Sequence, residues 1–278
     1  MKLLCKQFRC GESLLISGFF VIGYLFGVSS FHNFKFLNFS YFFVASYTLV
    51  LSYYSFNSFL GYSEDISNSR LQTGGRTSFL WVGIFSGIFA FLLFWIHSPL
   101  LLLLALSIFM IAYIYSAFFK YIPFAGTVMH LIAIPFKFNI GYAFVVGNIH
   151  QNSLFISLYF GLLFASGHIH HELIDFDADE KNSITSGAVF LGKKKAVQFY
   201  VGLTTLSVIY LAILSWFSVV STTVLMIFGT AFLLQVVVWV FLNRQRGGIA
   251  NNLLLNRLAY RIFYFSSGVV FAVVSLSV

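Results

Sequence analysis

The stretch that decides how this chain folds runs from His168 to Ala196, HIHHELIDFDADEKNSITSGAVFLGKKKA. Five of the chain's 8 acidic residues lie in it (Glu172, Asp175, Asp177, Asp179 and Glu180), with three of its 7 histidines and a run of three lysines. The sequence on either side is overwhelmingly apolar. If the apolar run ahead of it continues as helix, His168, Glu172, Asp175 and Asp179 follow a 4-3-4 spacing and share one face. Asp175 and Asp179 are then one turn apart, and their carboxylates can converge on a single cation. Magnesium favours one or two carboxylates together with substrate phosphate oxygens. The pair is a candidate for holding a metal–phosphate complex; the plainer alternative is a solvated loop between two membrane helices.

The chain has 278 residues, 59% of them hydrophobic and only 9% charged. A soluble domain needs far more polar surface. Nothing alternates with period two over barrel lengths, so the sequence predicts an all-α polytopic membrane protein. In such a protein a net charge of +8 speaks first to orientation, and no nucleic-acid partner is expected. Cys5 and Cys10 are the only cysteines; they make neither a disulfide framework nor a zinc site and read as reduced thiols near the membrane surface. The first apolar run lacks a small-x-small cleavage site and reads as a retained helix.

Apolar runs long enough to span a bilayer, about 20 residues, fall near 13–31, 38–60, 78–97, 99–119, 124–147, 153–174, 197–217, 219–242 and 257–277. They predict nine spans in a single domain, 1–278, with no soluble insertion. With the N-terminus inside, the inner segments hold Lys2, Lys6, Arg9, Arg70, Arg76, Lys120, Lys181, Lys193, Lys194, Lys195, Arg244, Arg246 and Arg257, whereas the outer loops hold Lys35 alone. That asymmetry predicts an N-in, C-out topology; the expected location is a bacterial or archaeal plasma membrane. The acidic stretch would face the cytoplasm.

The second apolar run ends SFNSFLGYSEDISNSR, with Asn57, Gly61 and Asp65 at i, i+4 and i+8 and Arg70 and Arg76 following. The fourth ends YIYSAFFK, with Tyr115 and Lys120 on the same predicted side. Carboxylates, an amide and basic groups on one face suit a metal-bridged diphosphate, the acids binding the cation and Arg and Lys the remaining phosphate charge. Lys137 and Asn139 lie inside the fifth run beside Pro135. A lysine at mid-membrane costs about 2.5–3.5 kcal/mol on insertion scales. Lys137 therefore reads either as a contact to a buried polar substrate or as a lysine satisfied by carbonyls that the proline frees.

The segment DFDADEKNSITSGAVFLGKKKA resembles the second acidic motif of the UbiA-type intramembrane prenyltransferases, an Asp-x-x-x-Asp followed by a Thr and a Leu-Gly. Asp175 and Asp179 match the aspartates, Thr185 the threonine and Leu191-Gly192 the Leu-Gly, while Ser183 stands where the family usually has glycine. The nine predicted spans and the motifs closing the second and sixth helices extend the likeness over essentially the whole chain. By resemblance, such enzymes hold two magnesium ions on the diphosphate of an isoprenoid chain, release diphosphate to give an allylic cation, and let an acceptor capture it. Phe and Tyr faces can stabilise such a cation.

The resemblance implies a UbiA-like bundle with a cytoplasmic-facing polar cavity, dependent on Mg2+. Its partners would be an isoprenoid diphosphate, a small-molecule or lipid acceptor (aromatic, quinone-like, sugar-phosphate or glycerol-phosphate), and membrane lipids. The catalytic and metal-binding candidates are Asp175, Asp179, Asp65 and Asn57. The substrate-binding candidates are Arg70, Lys120, Tyr115, Glu172, His168, Lys181 and Lys137. The family's first motif, Asn-Asp-x-x-Asp-x-x-x-Asp, is degenerate, because Ser58 and Gly61 stand where it has aspartates. Glu64 is new but points about 100° away from Asp65 on an ideal helix. The alternative from this departure is a member that keeps the fold as a lipid-binding or transport protein. A histidine-box oxygenase, suggested by HIHH, would need further clusters; His32, His97 and His150 fall on the opposite side, and His130 is isolated in the fifth run.

Overall fold

The computed structural model describes residues 10–62, 75–245 and 248–277. Asp65, Arg70 and Glu64 of the first acidic motif and its loop lie outside the described residues, as do Lys2, Lys6, Arg9, Cys5 and Arg246. The described chain is helical: α1 Cys10–Val28, α2 Phe36–Leu60, α3 Arg76–His97, α4 Pro99–Ile114, α5 Ala125–Val146, α6 Gln151–Lys181, α7 Gly187–Leu191, α8 Lys193–Trp216, α9 Thr222–Asn243, α10 Gly248–Asn251 and α11 Leu253–Ser277. Among the described residues eight helices are long and apolar enough to cross a membrane, and Ser13–Val28 is a shorter apolar helix. The nine expected spans thus appear as eight full-length helices and one short one.

Local chemistry sets the boundaries. Pro99 opens α4, where a missing N–H costs nothing, and the Ser98 hydroxyl accepts from the Leu100 amide at 3.2 Å. Ser221 caps α9 in the same way through Val224, at 3.4 Å. Pro135 stands inside α5, and the carbonyl it frees is that of Leu131. Gly161 of α6 packs onto that carbonyl, since a Cβ there would lie 2.9 Å from it.

The chain divides into two compact units, one of residues 1–120 and 136–149, the other of residues 121–135 and 150–278, with α5 passing from one to the other. In the first unit α2 packs against α1 and α3, and α3 against α4. Its centre is aromatic: Phe42 lies 4.7 Å from Phe144 and 5.2 Å from Tyr24, centroid to centroid. The second half of α5 meets α1 through two glycines, Gly23 facing the carbonyl of Phe138 and Gly141 that of Phe20, with no room for a Cβ at either. Small residues let membrane helices approach in this way.

In the second unit α6 packs along α8, and α9 along α11. The core gathers Ile169, Leu173, Phe176, Ala188, Ala196, Tyr200, Trp239 and Leu242. Asn256, fully buried, accepts from Gln235 Nε2 at 2.7 Å and Trp239 Nε1 at 3.1 Å. At 31 residues, α6 is about 46 Å long, well beyond a hydrocarbon core of about 30 Å. Its acidic turns are the excess, so the helix carries the carboxylates out of the apolar region without a loop. The sequence placed a polar segment from 175 onward; the structure keeps it helical as far as Lys181.

Candidate active site

The end of α6 is built against its own electrostatics. Asp175, Asp177, Asp179 and Glu180 stand in its last two turns, where the helix dipole is negative and each anion costs roughly 0.3–1 kcal/mol. Part of that charge is balanced: Lys193 Nζ bonds Asp177 Oδ1 at 2.7 Å and lies 5.0 Å over the Phe176 ring. Asp177 points outward, 80% exposed. Asp175 pairs with His171, Nδ1 to Oδ2 at 3.1 Å. Asp179 is 8% exposed, much the most buried of these acids. Placing two carboxylates one turn apart at the wrong end of a helix, one of them buried, is a local conflict of the kind that marks functional positions.

After α6 the chain turns through Ser183, whose φ of 56° is left-handed; glycine adopts that conformation without a Cβ penalty. Ser186 then caps α7, accepting from Val189 at 3.5 Å. Gly192 ends α7 and opens α8 with φ 77° and ψ 151°, backbone that is essentially glycine's alone. The Leu-Gly of the motif is therefore a hinge requirement. Thr185 is exposed between these elements.

Glu172 is committed to the protein. One carboxylate oxygen accepts the Ala188 amide of α7 at 3.0 Å, and the other lies 3.1 Å from His168 Nε2. It ties α7 to α6 one turn before Asp175. His168 stacks on His130 with centroids 4.3 Å apart, so His130, which the sequence left isolated, has a partner 38 positions along. The three histidines of HIHH diverge: His168 meets Glu172, His171 meets Asp175, and His170 is buried against Tyr200 at 4.9 Å. Lys181 is exposed at the last position of α6.

The end of α2 is different. Asn57 is half-buried, and its carbonyl accepts from the Gly61 amide at 2.9 Å. Lys120 crosses Gly61 so closely that a Cβ there would lie 2.8 Å from Nζ. Ser58, the other position lacking its expected aspartate, is 2% exposed. Arg76 is bound to α2 itself, Nε donating to the Phe59 carbonyl at 3.2 Å with the guanidinium 4.7 Å over the Phe59 ring. Between α4 and Lys120 the chain makes one π-helical turn, Tyr115–Phe119. Residues five apart share a face in such a turn as residues four apart do in an α-helix. Tyr115 and Lys120 are therefore on one face, which α-helical periodicity alone did not give.

The model of the UbiA prenyltransferase family matches residues 16–266. The chain belongs to that family. Solved structures agree on the fold. A structure from work on digeranylgeranylglyceryl phosphate synthase has a TM-score of 0.73 at 17% identity, covering 99% of each chain. The UbiA homologue from Archaeoglobus fulgidus bound to GPP and Mg2+ has a TM-score of 0.71 at 15% identity, covering 95% of this chain and 98% of its own. The apo UbiA homologue from Aeropyrum pernix K1 has 0.70 at 14%, covering 94% and 98%. No curated protein sequence matches significantly. With its eight long apolar helices, this member of the UbiA family is an integral membrane protein.

Magnesium, implied by the family, can be tested against the donors present. Asp175 and Asp179 fit it in kind: two hard oxygen ligands one turn apart at a helix C-terminus, where the dipole favours a cation. The described part of α2 does not fit a second ion by itself. Asn57 offers one amide oxygen, Gly61 no side chain, and an ammonium lies against it.

Proposed function

We propose that this chain transfers a prenyl group from an isoprenoid diphosphate to an acceptor within the membrane, with Mg2+ at Asp175 and Asp179. The dipole-opposed carboxylate pair at the end of α6, with Asp179 buried, is the observation that carries the reading. Family membership supports it, as do relatives of the same fold bound to GPP or DMAPP with Mg2+. The ion, when bound, neutralises charge developing on the departing diphosphate. Lys120 and Tyr115, on one face, bind the diphosphate, with Arg70 and Lys181 as further cations. The C1–oxygen bond of the prenyl chain breaks, the electron pair leaves with diphosphate, and the acceptor forms the new bond and loses a proton. Asn57 and Asp65 are further candidate ligands in this reading. Glu172 and His168 act by fixing the α6 turn that carries Asp175.

In the same reading the ends of α2 and α6 face the cytoplasm, where Lys and Arg concentrate. In sealed cells an impermeant thiol reagent should label a lone cysteine at position 150 and leave one at 181 unlabelled; the reverse pattern inverts the topology. The activity is tested with purified protein, labelled geranyl or geranylgeranyl diphosphate, and acceptors of each class. Diphosphate release that needs Mg2+ and disappears in Asp175→Asn is the expected result. Tight prenyl diphosphate binding without turnover for every acceptor would instead favour a lipid-binding member of the family.

A further inference from the structure

The lysines of this chain have two kinds of environment. Lys137 is buried in α5, 5% exposed, with its ammonium 5.2 Å from the Tyr53 ring centroid. Lys194 and Lys195 are exposed in the first turn of α8, where the helix dipole disfavours cations. Lys193 beside them is bound to Asp177, but among the described residues no carboxylate pairs with Lys194 or Lys195. Two adjacent ammonium groups at a membrane surface are complementary to anionic lipid. Beneath them a groove of about 540 Å³ runs along the outside of α8, bounded by Leu191, Lys195, Gln198, Phe199, Gly202 and Leu206. Positions 195, 198, 202 and 206 follow a 3-4-4 spacing and share one face of the helix. Gly202 makes a notch in that face, since a Cβ there would meet nothing within 4 Å. Phe199 and Leu206, 37% and 48% exposed, stand on either side of it.

Gln198 is exposed on the same face, and among the described residues no group of the protein bonds its amide. An amide on a lipid-facing surface is costly unless something bonds it. Measured along α8 from Lys195, Gln198 lies about 4.5 Å away, Gly202 about 10.5 Å and Leu206 about 16.5 Å. The order is cation, amide, apolar notch, and it matches the order of phosphate, ester carbonyl and acyl chain in a phospholipid. We infer that this groove binds one anionic phospholipid from the leaflet at the start of α8. Its phosphate lies on Lys194 and Lys195, an ester carbonyl accepts from Gln198, and one acyl chain crosses Gly202 between Phe199 and Leu206. Leu191 is the last residue of α7, so the lipid bridges α7 to α8 across Gly192 and braces the segment that follows the α6 carboxylates. The site does not depend on prenyl transfer.

The full chain, purified and delipidated in detergent, is titrated with dioleoyl phosphatidylglycerol or dioleoyl phosphatidylcholine and read by native mass spectrometry. The anionic lipid should bind about fivefold or more tightly, as expected for lysine at an anionic surface. Lys194→Gln with Lys195→Gln should bring the two lipids within about twofold of each other. Gly202→Leu, whose side chain has open space, should fill the notch and weaken both lipids about fivefold or more, with helix content unchanged. Phe199→Ala removes one side of the notch and should act in the same direction, which keeps the groove testable should Gly202→Leu fail to insert. Phosphatidylglycerol should also raise the melting temperature of the unaltered protein and not that of Gly202→Leu. Equal binding of the two lipids by the unaltered protein, or a preference that survives the double lysine variant, overturns the headgroup site. Undiminished binding in Gly202→Leu and Phe199→Ala leaves surface charge alone and overturns the groove. An unchanged melting temperature overturns the bracing of α7 on α8. A dimer of the unaltered protein that Gly202→Leu converts to monomer makes a second copy the occupant and overturns the lipid.

Discussion

At its C-terminal end α6 carries Asp175 and a buried Asp179, whereas α2 ends on Asn57 and Gly61 with the Lys120 ammonium against the glycine. Both are C-termini, where the dipole favours cations. The end of α2 obeys that rule and the end of α6 violates it. The α6 end is where we propose that an external cation binds. The α2 end is already supplied with a positive charge by the protein. Among the described residues, the end of α6 carries carboxylates, whereas the end of α2 carries an amide and a glycine with a lysine against it.

The largest expected effect falls on the α6 side. Asp175→Asn or Asp179→Asn removes charge stabilisation at the leaving group, and a loss of that kind costs about 10²–10³ in turnover. Expression and helix content should survive, because asparagine keeps the shape and relieves the dipole conflict. Retained turnover in either variant would mean that the pair is structural and would erase the contrast with α2.

Next comes the support beneath it. Glu172 holds α7 to α6 through the Ala188 amide, and truncating a partly buried charged acceptor costs about 1.5–3 kcal/mol. Glu172→Ala should lose that much stability by denaturant titration in mild detergent, with KM for the prenyl diphosphate changing less than tenfold. Unchanged stability with a large rise in KM would return Glu172 to the substrate.

A smaller effect is expected at the turn that follows. Ser183 has a left-handed φ that costs a non-glycine residue about 1–2 kcal/mol, offset by the greater freedom glycine loses on folding, roughly 0.5–1 kcal/mol. Ser183→Gly should raise stability by up to about 1 kcal/mol with no change in turnover. A loss of turnover would show that the serine hydroxyl, not the backbone, matters at that position.

Much of this was legible in the sequence, for reasons that differ by element. The spans follow from apolar length, and Asp175 and Asp179 follow from a spacing of four. The Leu-Gly of the motif was readable as a pattern, but its cause, φ 77° at Gly192, is a backbone fact. Three things depended on contacts that no local pattern encodes. Tyr115 and Lys120 share a face because of a π turn, which the 3.6-residue period does not anticipate. His130 meets His168, and Lys120 meets Gly61, across long sequence separations. The one-face register of Glu172 with Asp175 was visible in the sequence, whereas its bond to the Ala188 amide was not.

That last kind of contact makes the smallest effect the sharpest test of the comparison. Restoring an aspartate at position 61 would seem to rebuild the missing metal ligand. In this fold, however, its Cβ would stand 2.8 Å from Lys120 Nζ, and the flexible lysine end would shift by a few tenths of an ångström and pair with the new carboxylate. Opposite charges about 4 Å apart near a protein surface attract appreciably, while exposed pairs net only about 0–1 kcal/mol. The pair would therefore form, and it would withhold the carboxylate from a metal. Gly61→Asp alone should leave the Mg2+ concentration for half-maximal turnover within about twofold of the original. Gly61→Asp with Lys120→Met should lower it by up to about fivefold, the range set by about 0–1 kcal/mol of uncovered attraction. Both are measured at saturating prenyl diphosphate, so that lost diphosphate affinity from Lys120→Met does not obscure the result. If the single variant lowers the Mg2+ requirement as far as the double, Lys120 does not neutralise the new charge. The end of α2 would then be an ordinary metal site lacking one ligand, and the asymmetry between α2 and α6 would reduce to a single missing carboxylate.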